Sequence, residues 1–170
     1  FVDIGDEKEA FIHYLDLGLY FNAFDEFVRK INTNTNANDL FTGIELGPIL
    51  AKEGQIENHL KPGQMVIVQI VKEPISTKGS RLTAEISLAG RNIVLLPFAK
   101  KVSISQKIAS KEEKKRLETL VRSILPPNYG AIIRTAAEGK NAAILVSELK
   151  SLISKWESSW TKLSKSKNVQ

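Results

Sequence analysis

Hydrophobic positions in the first third of the chain follow a strand-like spacing and then a helical one. Residues 1–12 form two short apolar arms around a polar turn at residues 5–8, a pattern that predicts a β-hairpin. Apolar side chains between residues 19 and 31 recur at helical spacing, which predicts a short amphipathic helix. The polar tract 32–39 buries nothing and predicts a mobile loop. Residues 16–60 therefore have the character of an insertion.

Two strand patterns flank a basic, glycine-containing tract in the middle of the chain. Residues 64–72 are rich in Val and Ile and apolar on both faces, as in a central strand, and residues 82–88 resume the pattern. The polar tract 76–81 lies between them. Such a hairpin in a barrel would present Lys78 and Arg81 to phosphate, although the local pattern by itself favours an ordinary hairpin loop.

The second half of the chain alternates strand and helix patterns. Residues 89–97 and 131–135 predict short apolar strands. Residues 111–125 predict a helix with Ser110 as its N-cap and Glu113 at the capping-box position. A long helix follows the second strand. Its apolar stripe, which we interpret as core packing, consists of Leu145, Leu149, Leu152, Ile153, Trp156 and Trp160.

Composition excludes several kinds of chemistry. The 170 residues are 42% hydrophobic and 25% charged, which is typical of one or two small globular domains. The absence of Cys excludes disulfides, thiolate zinc sites and Cys nucleophiles, and His13 and His59 are too few for a His-based metal site. The acidic residues around the first turn are typical of a solvated turn rather than of a metal site.

The sequence also predicts a soluble protein that is part of a longer one. No apolar run approaches the roughly 18 residues of a membrane span, and no signal peptide opens the chain. The single methionine is Met65, and the chain opens at Phe1 inside an apolar segment.

Charge is segregated along the chain. Residues 1–60 contain 4 Lys or Arg and 11 Asp or Glu, whereas residues 61–170 contain 20 and 8. A cluster of basic residues binds polyanions by releasing counterions from phosphates. Two interpretations stay open at this point, a nucleic-acid-binding surface and an ordinary solvated basic surface.

The chain contains the phrases FVDIG, AFIHYLDLG, VQIVKEPISTKGSRLT, EISLAGRNIVLLPF and IIRTAAEG. In this order and spacing, these five phrases resemble the ribonuclease E/G family of bacterial endoribonucleases. The resemblance implies an α+β fold in which residues 1–84 are most of an S-one domain. This is an incomplete OB-type RNA-binding barrel that lacks its first strand and carries a helical insertion at about 16–60. Residues 85–160 resemble the family's small α+β 5′-sensor domain, and residues 161–170 are expected to be a frayed tail.

The same resemblance implies an RNA-binding role for three residues of the barrel. Phe1 and Phe11 match the aromatic residues that stack on single-stranded bases. Lys78 matches the loop lysine that holds the RNA backbone. Aromatic platforms beside a basic loop suit an RNA-binding barrel.

In the sensor region the resemblance implies a site for a terminal 5′-monophosphate. Arg134 and Thr135 match the pair that grips the phosphate, and Gly90 and Val94 match positions that let the terminal nucleotide approach. Without the resemblance, a surface ion pair between Arg134 and Glu138 would be the simpler interpretation.

One position departs from the family pattern. The family commonly has Arg where this chain has Gln106, so the second phosphate ligand becomes a neutral amide. The adjacent Lys107 partly compensates for the lost charge. Discrimination between monophosphate and triphosphate ends is therefore expected to be weaker.

The resemblance implies an enzyme whose catalytic domain is not among these residues. The family cleaves single-stranded RNA with a magnesium-activated water held by Asp residues in a domain C-terminal to the sensor. We therefore expect no catalytic residue, metal or cofactor in this fragment, and binding without cleavage. The parent protein would be a cytoplasmic homo-oligomer acting in rRNA processing and mRNA decay. The alternatives are a non-catalytic OB-fold module of a translation or ribosome-assembly factor and a protein-interaction module.

Overall fold

The computed structural model describes residues 1–33 and 43–165, which form an α+β structure. The chain divides into two compact units. The first unit comprises Phe1–Arg29 and Glu45–Ile86, and the second comprises Lys30–Ile44 and Ser87–Gln170. None of the described helices is long and apolar enough to cross a membrane.

The first unit contains a two-stranded antiparallel sheet. Strand β1 (Gln69–Lys72) pairs with β2 (Arg81–Thr83). Two isolated bridges extend the pairing, an antiparallel one between Val2 and Ala10 and a parallel one between Phe11 and Arg81. The first bridge closes the predicted hairpin of residues 1–12. Within the described part of residues 1–86 the strands do not close into a barrel.

The expected central strand 64–72 is wrong in extent and in environment. Only β1 remains of it, and its Ile70 and Val71 are each 52% exposed. Because β2 is the single partner of β1 and is itself three residues long, the sheet offers no second neighbour to bury this strand. The second predicted strand, 82–88, is also shorter, since β2 ends at Thr83.

The predicted amphipathic helix is confirmed. Helix α1 spans Phe21–Thr33. The low-complexity tract that follows it falls mostly outside the described residues. Leu17, Phe21 and Leu50 belong to the core of the first unit, so the predicted insertion supplies part of that core. The buried residues of this cluster are Ala10, Ile12, Leu17, Phe21, Leu50, Leu82 and Ala84.

The second unit is built on a four-stranded mixed sheet in the order β3-β4-β6-β5. The strands are β3 (Leu88–Ala89), β4 (Ile93–Pro97), β5 (Val102–Ile104) and β6 (Tyr129–Ile133). Strands β3 and β4, and β4 and β6, pair antiparallel, whereas β5 and β6 run parallel. The carboxyl ends of the parallel strands β5 and β6 therefore lie at the same edge of the sheet.

Two helices cover the sheet. Helix α2 (Lys111–Ile124) contacts β5 and β6, and α3 (Ala142–Lys165) contacts β4 and α2. Ser110 caps α2 by accepting the Glu113 N–H at 3.2 Å, as predicted. The predicted core stripe of α3 is buried except for the half-buried Ile153.

The C-terminal helix also settles two sequence expectations. Trp156 and Trp160 pack edge to face with ring centroids 5.0 Å apart, which confirms that they are packing residues. Helix α3 continues to Lys165, so residues 161–165 of the expected frayed tail are helical. Residues 166–170 lie outside the described part of the chain.

Candidate nucleic-acid interface

An open groove of about 730 Å³ lies on the first unit, and Phe1, Phe11 and Lys78 all line it. Phe1 is 92% exposed. The N–H of Phe11 donates to the Ser80 carbonyl at 2.9 Å, and the Leu82 N–H donates to the Phe11 carbonyl at 2.8 Å. This backbone pairing holds the Phe11 ring beside the basic loop. The structure thus brings together the three residues that the sequence predicted for this unit.

The loop that carries Lys78 is a tight turn packed on the first hairpin. Ile75 and Lys78 exchange backbone hydrogen bonds of 3.2 and 3.0 Å. The next residue, Gly79, lies so close to the chain at Glu9 that a Cβ would overlap the Glu9 carbonyl oxygen. Glycine is therefore required here by close approach, and the turn holds the Lys78 backbone in place.

Cationic side chains on the groove have different environments. Lys8, Lys72 and Lys78 are exposed. Arg81 instead donates to both carboxylate oxygens of Asp16, from Nε at 3.0 Å and from Nη2 at 2.9 Å. These hydrogen bonds and the negative charge raise the pKa of Arg81. The hairpin thus presents Lys78, while the Arg81 guanidinium is engaged by a carboxylate.

His13 is a groove residue that the sequence analysis did not assign to a site. Its ring stands edge-on to Phe11, with centroids 5.3 Å apart and planes at 69°. It therefore extends the aromatic surface of the groove. The signal that could have found it is its position two residues after Phe11, since alternate residues of an extended chain share a face.

The sheet edge of the second unit gathers the predicted phosphate ligands. Because β5 and β6 are parallel, the residues that follow them meet at their carboxyl ends. The hydroxyls of Ser105 and Thr135 are hydrogen-bonded at 2.7 Å. Gln106 and Lys107 follow Ser105 and are exposed, as are Arg134 and Thr135.

Arg134 is held by the turn between β3 and β4. Its Nη1 donates to the Gly90 carbonyl at 2.9 Å, and its backbone N–H donates to the Asn92 carbonyl at 2.8 Å. Among the described residues it forms no ion pair, so the alternative of a pair with Glu138 is not observed. A guanidinium has five N–H donors, which leaves most of its fork open to an anion.

Gly90 and Val94 belong to the same edge. The Gly90 N–H donates to the Ile93 carbonyl at 2.8 Å and closes the turn. Val94 is half-buried and pairs in register with Ala89 on one side and Ile132 on the other. The five residues predicted for this site, including Gln106, are thus on adjacent strands or on the segments that leave them.

Sequence analysis missed the carboxylate beneath this turn, Glu148 of α3. Both of its oxygens accept from the Asn92 backbone N–H, at 3.0 and 3.2 Å, and the Asn92 amide Nδ2 donates to it at 2.8 Å. A Cβ at Gly90 would overlap a Glu148 oxygen. No local pattern links residues 56 positions apart, so only the fold reveals this pair.

The segment after Thr135 is anchored to α2. Glu113 accepts the Gly139 N–H at 2.9 Å and is paired with Arg116, which also donates to the Lys140 carbonyl at 2.9 Å. The hydrogen bonds from Arg116 and Gly139 lower the pKa of the Glu113 carboxyl to about 2. The Glu113 side chain therefore serves this loop and not the expected capping box.

The exposed side chains at these surfaces include hydrogen-bond donors, cations and aromatic rings. Cationic, hydroxyl and amide donors suit phosphate oxygens, and the aromatic rings suit bases. Among the described residues, no group of three or more His, Asp or Glu side chains is placed to hold a metal ion. The fold and these surfaces define the class, an α+β protein whose two units each carry exposed groups complementary to a nucleic acid.

Comparison with known proteins then gives the family. Residues 87–170 match the model of the ribonuclease E/G family. The chain is 36% identical over 160 residues to ribonuclease E of a Nostoc species, covering 92% of this chain and 19% of that protein. It is 39% identical over 139 residues to ribonuclease G of Haemophilus influenzae, covering 82% of this chain and 24% of that protein. Ribonuclease G of Escherichia coli is 35% identical to it over 156 residues, covering 92% of this chain and 28% of that protein.

The chain belongs to the ribonuclease E/G family. It spans only between 19% and 28% of the length of these three relatives.

Proposed function

We propose that this chain is the RNA-binding and 5′-monophosphate-sensing part of a ribonuclease E/G-type endoribonuclease. The carrying observation is the convergence of Arg134, Thr135 and Gln106 at one sheet edge, beside the turn at Gly90. A terminal phosphate is held by several donors at once, and the candidate donors of this edge follow the ends of two parallel strands, β5 and β6. The match of residues 87–170 to the family favours this function over that of a plain RNA-binding module.

The donors at the sheet edge would divide the phosphate oxygens between them. Arg134 keeps one N–H on the Gly90 carbonyl and offers the remaining ones to the anion. In the hydrogen-bonded pair of Ser105 and Thr135, one hydroxyl donates to the other. The hydroxyl that accepts this hydrogen bond would donate its own proton to a phosphate oxygen. Gln106 adds a neutral amide and therefore no charge. The positive charges nearest to these donors along the chain are those of Arg134 and Lys107.

The first unit would bind the RNA strand as an S-one domain of the OB type. Phe1 and Phe11 would stack on bases, a contact worth about 1 to 3 kcal/mol per base. Lys78 would hold the backbone through a charge-assisted contact. These three residues line one groove, which is the arrangement such binding needs.

Cleavage belongs to the longer protein in this proposal. A magnesium ion held by Asp residues in a domain C-terminal to the sensor would activate the attacking water. The parent protein would be a homo-oligomer that acts in the cytoplasm in rRNA processing and mRNA decay. The chain of 170 residues itself would bind single-stranded RNA and, incubated with magnesium, would release no cleavage products.

The proposal is tested by comparing RNA with a 5′-monophosphate and the same RNA with a 5′-hydroxyl. Since a charge-assisted hydrogen bond contributes about 1.5 to 3 kcal/mol, we expect a preference of about tenfold or more for the phosphate. Arg134→Ala should abolish the preference, and Gln106→Arg should widen it. Arg122→Ala, an exposed arginine of α2 paired with Glu118, is the matched control and should change nothing.

Two results would contradict this proposal. Equal affinity for both ends in the unmutated chain and in Gln106→Arg would exclude a phosphate sensor at this edge. Specific cleavage by the purified chain would show that the active site is within these residues.

A further inference from the structure

We propose that Glu148 is a positioning residue for the 5′-phosphate site: it fixes the turn at residues 90–92, and the turn orients the Arg134 guanidinium. This inference rests on the proposed function and adds a residue that does not itself contact the phosphate. It makes α3 part of the sensor, although the expected ligands all lie on the sheet edge and its loops.

The first step is the clamp between α3 and the turn. Three donor–acceptor contacts join Glu148 to Asn92, two from the backbone N–H and one from the side-chain amide. Asn92 is 4% exposed, so these hydrogen bonds are shielded from water on the Asn92 side. Hydrogen bonds to a charged acceptor are about twice as strong as neutral ones. Asn92, the last residue of the turn, is therefore hydrogen-bonded to α3.

The second step is that the same turn holds Arg134 twice. The Gly90 carbonyl accepts from the guanidinium, and the Asn92 carbonyl accepts from the Arg134 backbone N–H. If the turn shifts, both acceptors move together. An exposed arginine otherwise samples many rotamers, and ordering it only when the ligand binds would reduce affinity.

The third step explains why glycine occupies position 90. The Gly90 backbone lies against the Glu148 carboxylate, and a Cβ would also approach the Ile93 carbonyl oxygen to 2.7 Å. A side chain there would displace Glu148 or open the turn. Gly90→Ala should therefore produce the same defect as loss of the Glu148 clamp, and the two changes should not add.

The test uses a charge-neutral substitution and a reciprocal exchange. Glu148→Gln keeps the size of the side chain but places an amide N–H against the Asn92 amide donors. Asn92→Asp combined with Glu148→Gln restores complementary partners, because the new amide can donate to the new carboxylate. Glu118→Gln, on the exposed face of α2, is the control for loss of one carboxylate.

Two quantities are measured on the 170-residue chain. The first is the ratio of affinities for 5′-phosphate and 5′-hydroxyl RNA. Glu148→Gln should reduce this ratio by about fivefold, the effect of losing roughly one hydrogen bond, with 5′-hydroxyl binding unchanged. The double variant should restore most of the ratio. The second is the NMR order parameter of the Arg134 Nε–H bond in the free protein. It should fall in Glu148→Gln and recover in the double variant.

The outcomes separate this inference from the function on which it rests. If neither the unmutated chain nor Gln106→Arg shows an end preference, the proposed function fails, and the order of the Arg134 side chain still decides whether Glu148 positions it. An unchanged ratio and unchanged Arg134 order in Glu148→Gln would overturn the inference. A higher ratio would overturn it as well, because it would show that the carboxylate acts by repelling the phosphate.

Discussion

Lys78 and Arg81 lie three residues apart in one hairpin and have different electrostatic partners. Arg81 is bound through two nitrogens to Asp16, whereas the Lys78 ammonium has no acceptor among the described residues. Both were candidate phosphate ligands by sequence. An arginine already paired with a carboxylate is a poorer ligand than a free lysine, because binding phosphate would require breaking that pair.

At the residue scale we therefore predict different effects for the two positions. Lys78→Ala should weaken binding of 5′-phosphate and 5′-hydroxyl RNA by the same factor, about three- to tenfold at low salt, because it would remove a backbone contact. Fluorescence titration of the two RNAs measures this. Lys52→Ala, an exposed lysine of the same unit outside the groove, is the control. A loss confined to one of the two ends would contradict the assignment of Lys78 to the backbone.

At the element scale, helix α2 both covers the sheet and holds the segment that carries Thr135. Ser110 caps the start of the helix by accepting a backbone N–H. The Glu113 side chain then accepts the Gly139 N–H, and Arg116 donates to the Lys140 carbonyl. The conformation of the loop after β6 thus depends on a neighbouring helix. The positive φ of Gly139, +70°, is compatible with this tight course.

Acid should release this loop. The folded-state pKa of Glu113 is about 2, below its ordinary value of 4.5. A lowered pKa means that the carboxylate stabilises the fold above the unfolded-state value, and that this stability is lost as the pH falls from about 4.5 towards 2. The difference in unfolding free energy between the wild type and Glu113→Gln, from urea titrations, should shrink over that range.

Glu118→Gln serves as the control for this prediction, since it removes a carboxylate from an exposed pair on the same helix. A stability difference for Glu113→Gln that stays constant between about pH 5 and pH 2 would contradict the role of its charge.

At the scale of the whole molecule, acidic and basic residues are divided along the chain. The first sixty residues carry 11 acidic side chains and 4 basic ones, and the remainder carries 8 and 20. Such a basic excess binds a polyanion by counterion release, which makes affinity depend on salt. A protein-interaction module would not require that dependence.

We predict that the affinity for short single-stranded RNA falls by about ten- to twentyfold between 50 and 200 mM salt, as expected for roughly three phosphate contacts. Lys78→Ala should reduce the slope of log affinity against log salt by about 0.7, the value for one contact to a single strand. Titrations at four salt concentrations measure both slopes. Affinity independent of salt would favour the protein-interaction alternative.

The amino-acid sequence by itself predicted the three α-helices and two strands of the second unit, β4 and β6, but not β5. It also supplied the candidate residues of the two surfaces except His13 and Glu148. Helices α1 and α2 follow from local spacing of apolar residues and from the Ser110 cap. These features are local, because a helix needs contacts only three or four residues apart. Except for Gln106, the candidate ligands came from short phrases that resemble those of the family, and each phrase is one continuous stretch of the chain.

Only the tertiary structure decided which residues meet across long separations. It shortened the strand pattern 64–72 to β1, paired Arg81 with Asp16 at a separation of 65 residues, and set Glu148 beneath Asn92 at a separation of 56. A strand needs partners, and a charge that is withdrawn from water needs a counterpart, and both come from elsewhere in the chain. Apolar spacing carries no information about those partners, so burial and pairing at these positions follow from the fold.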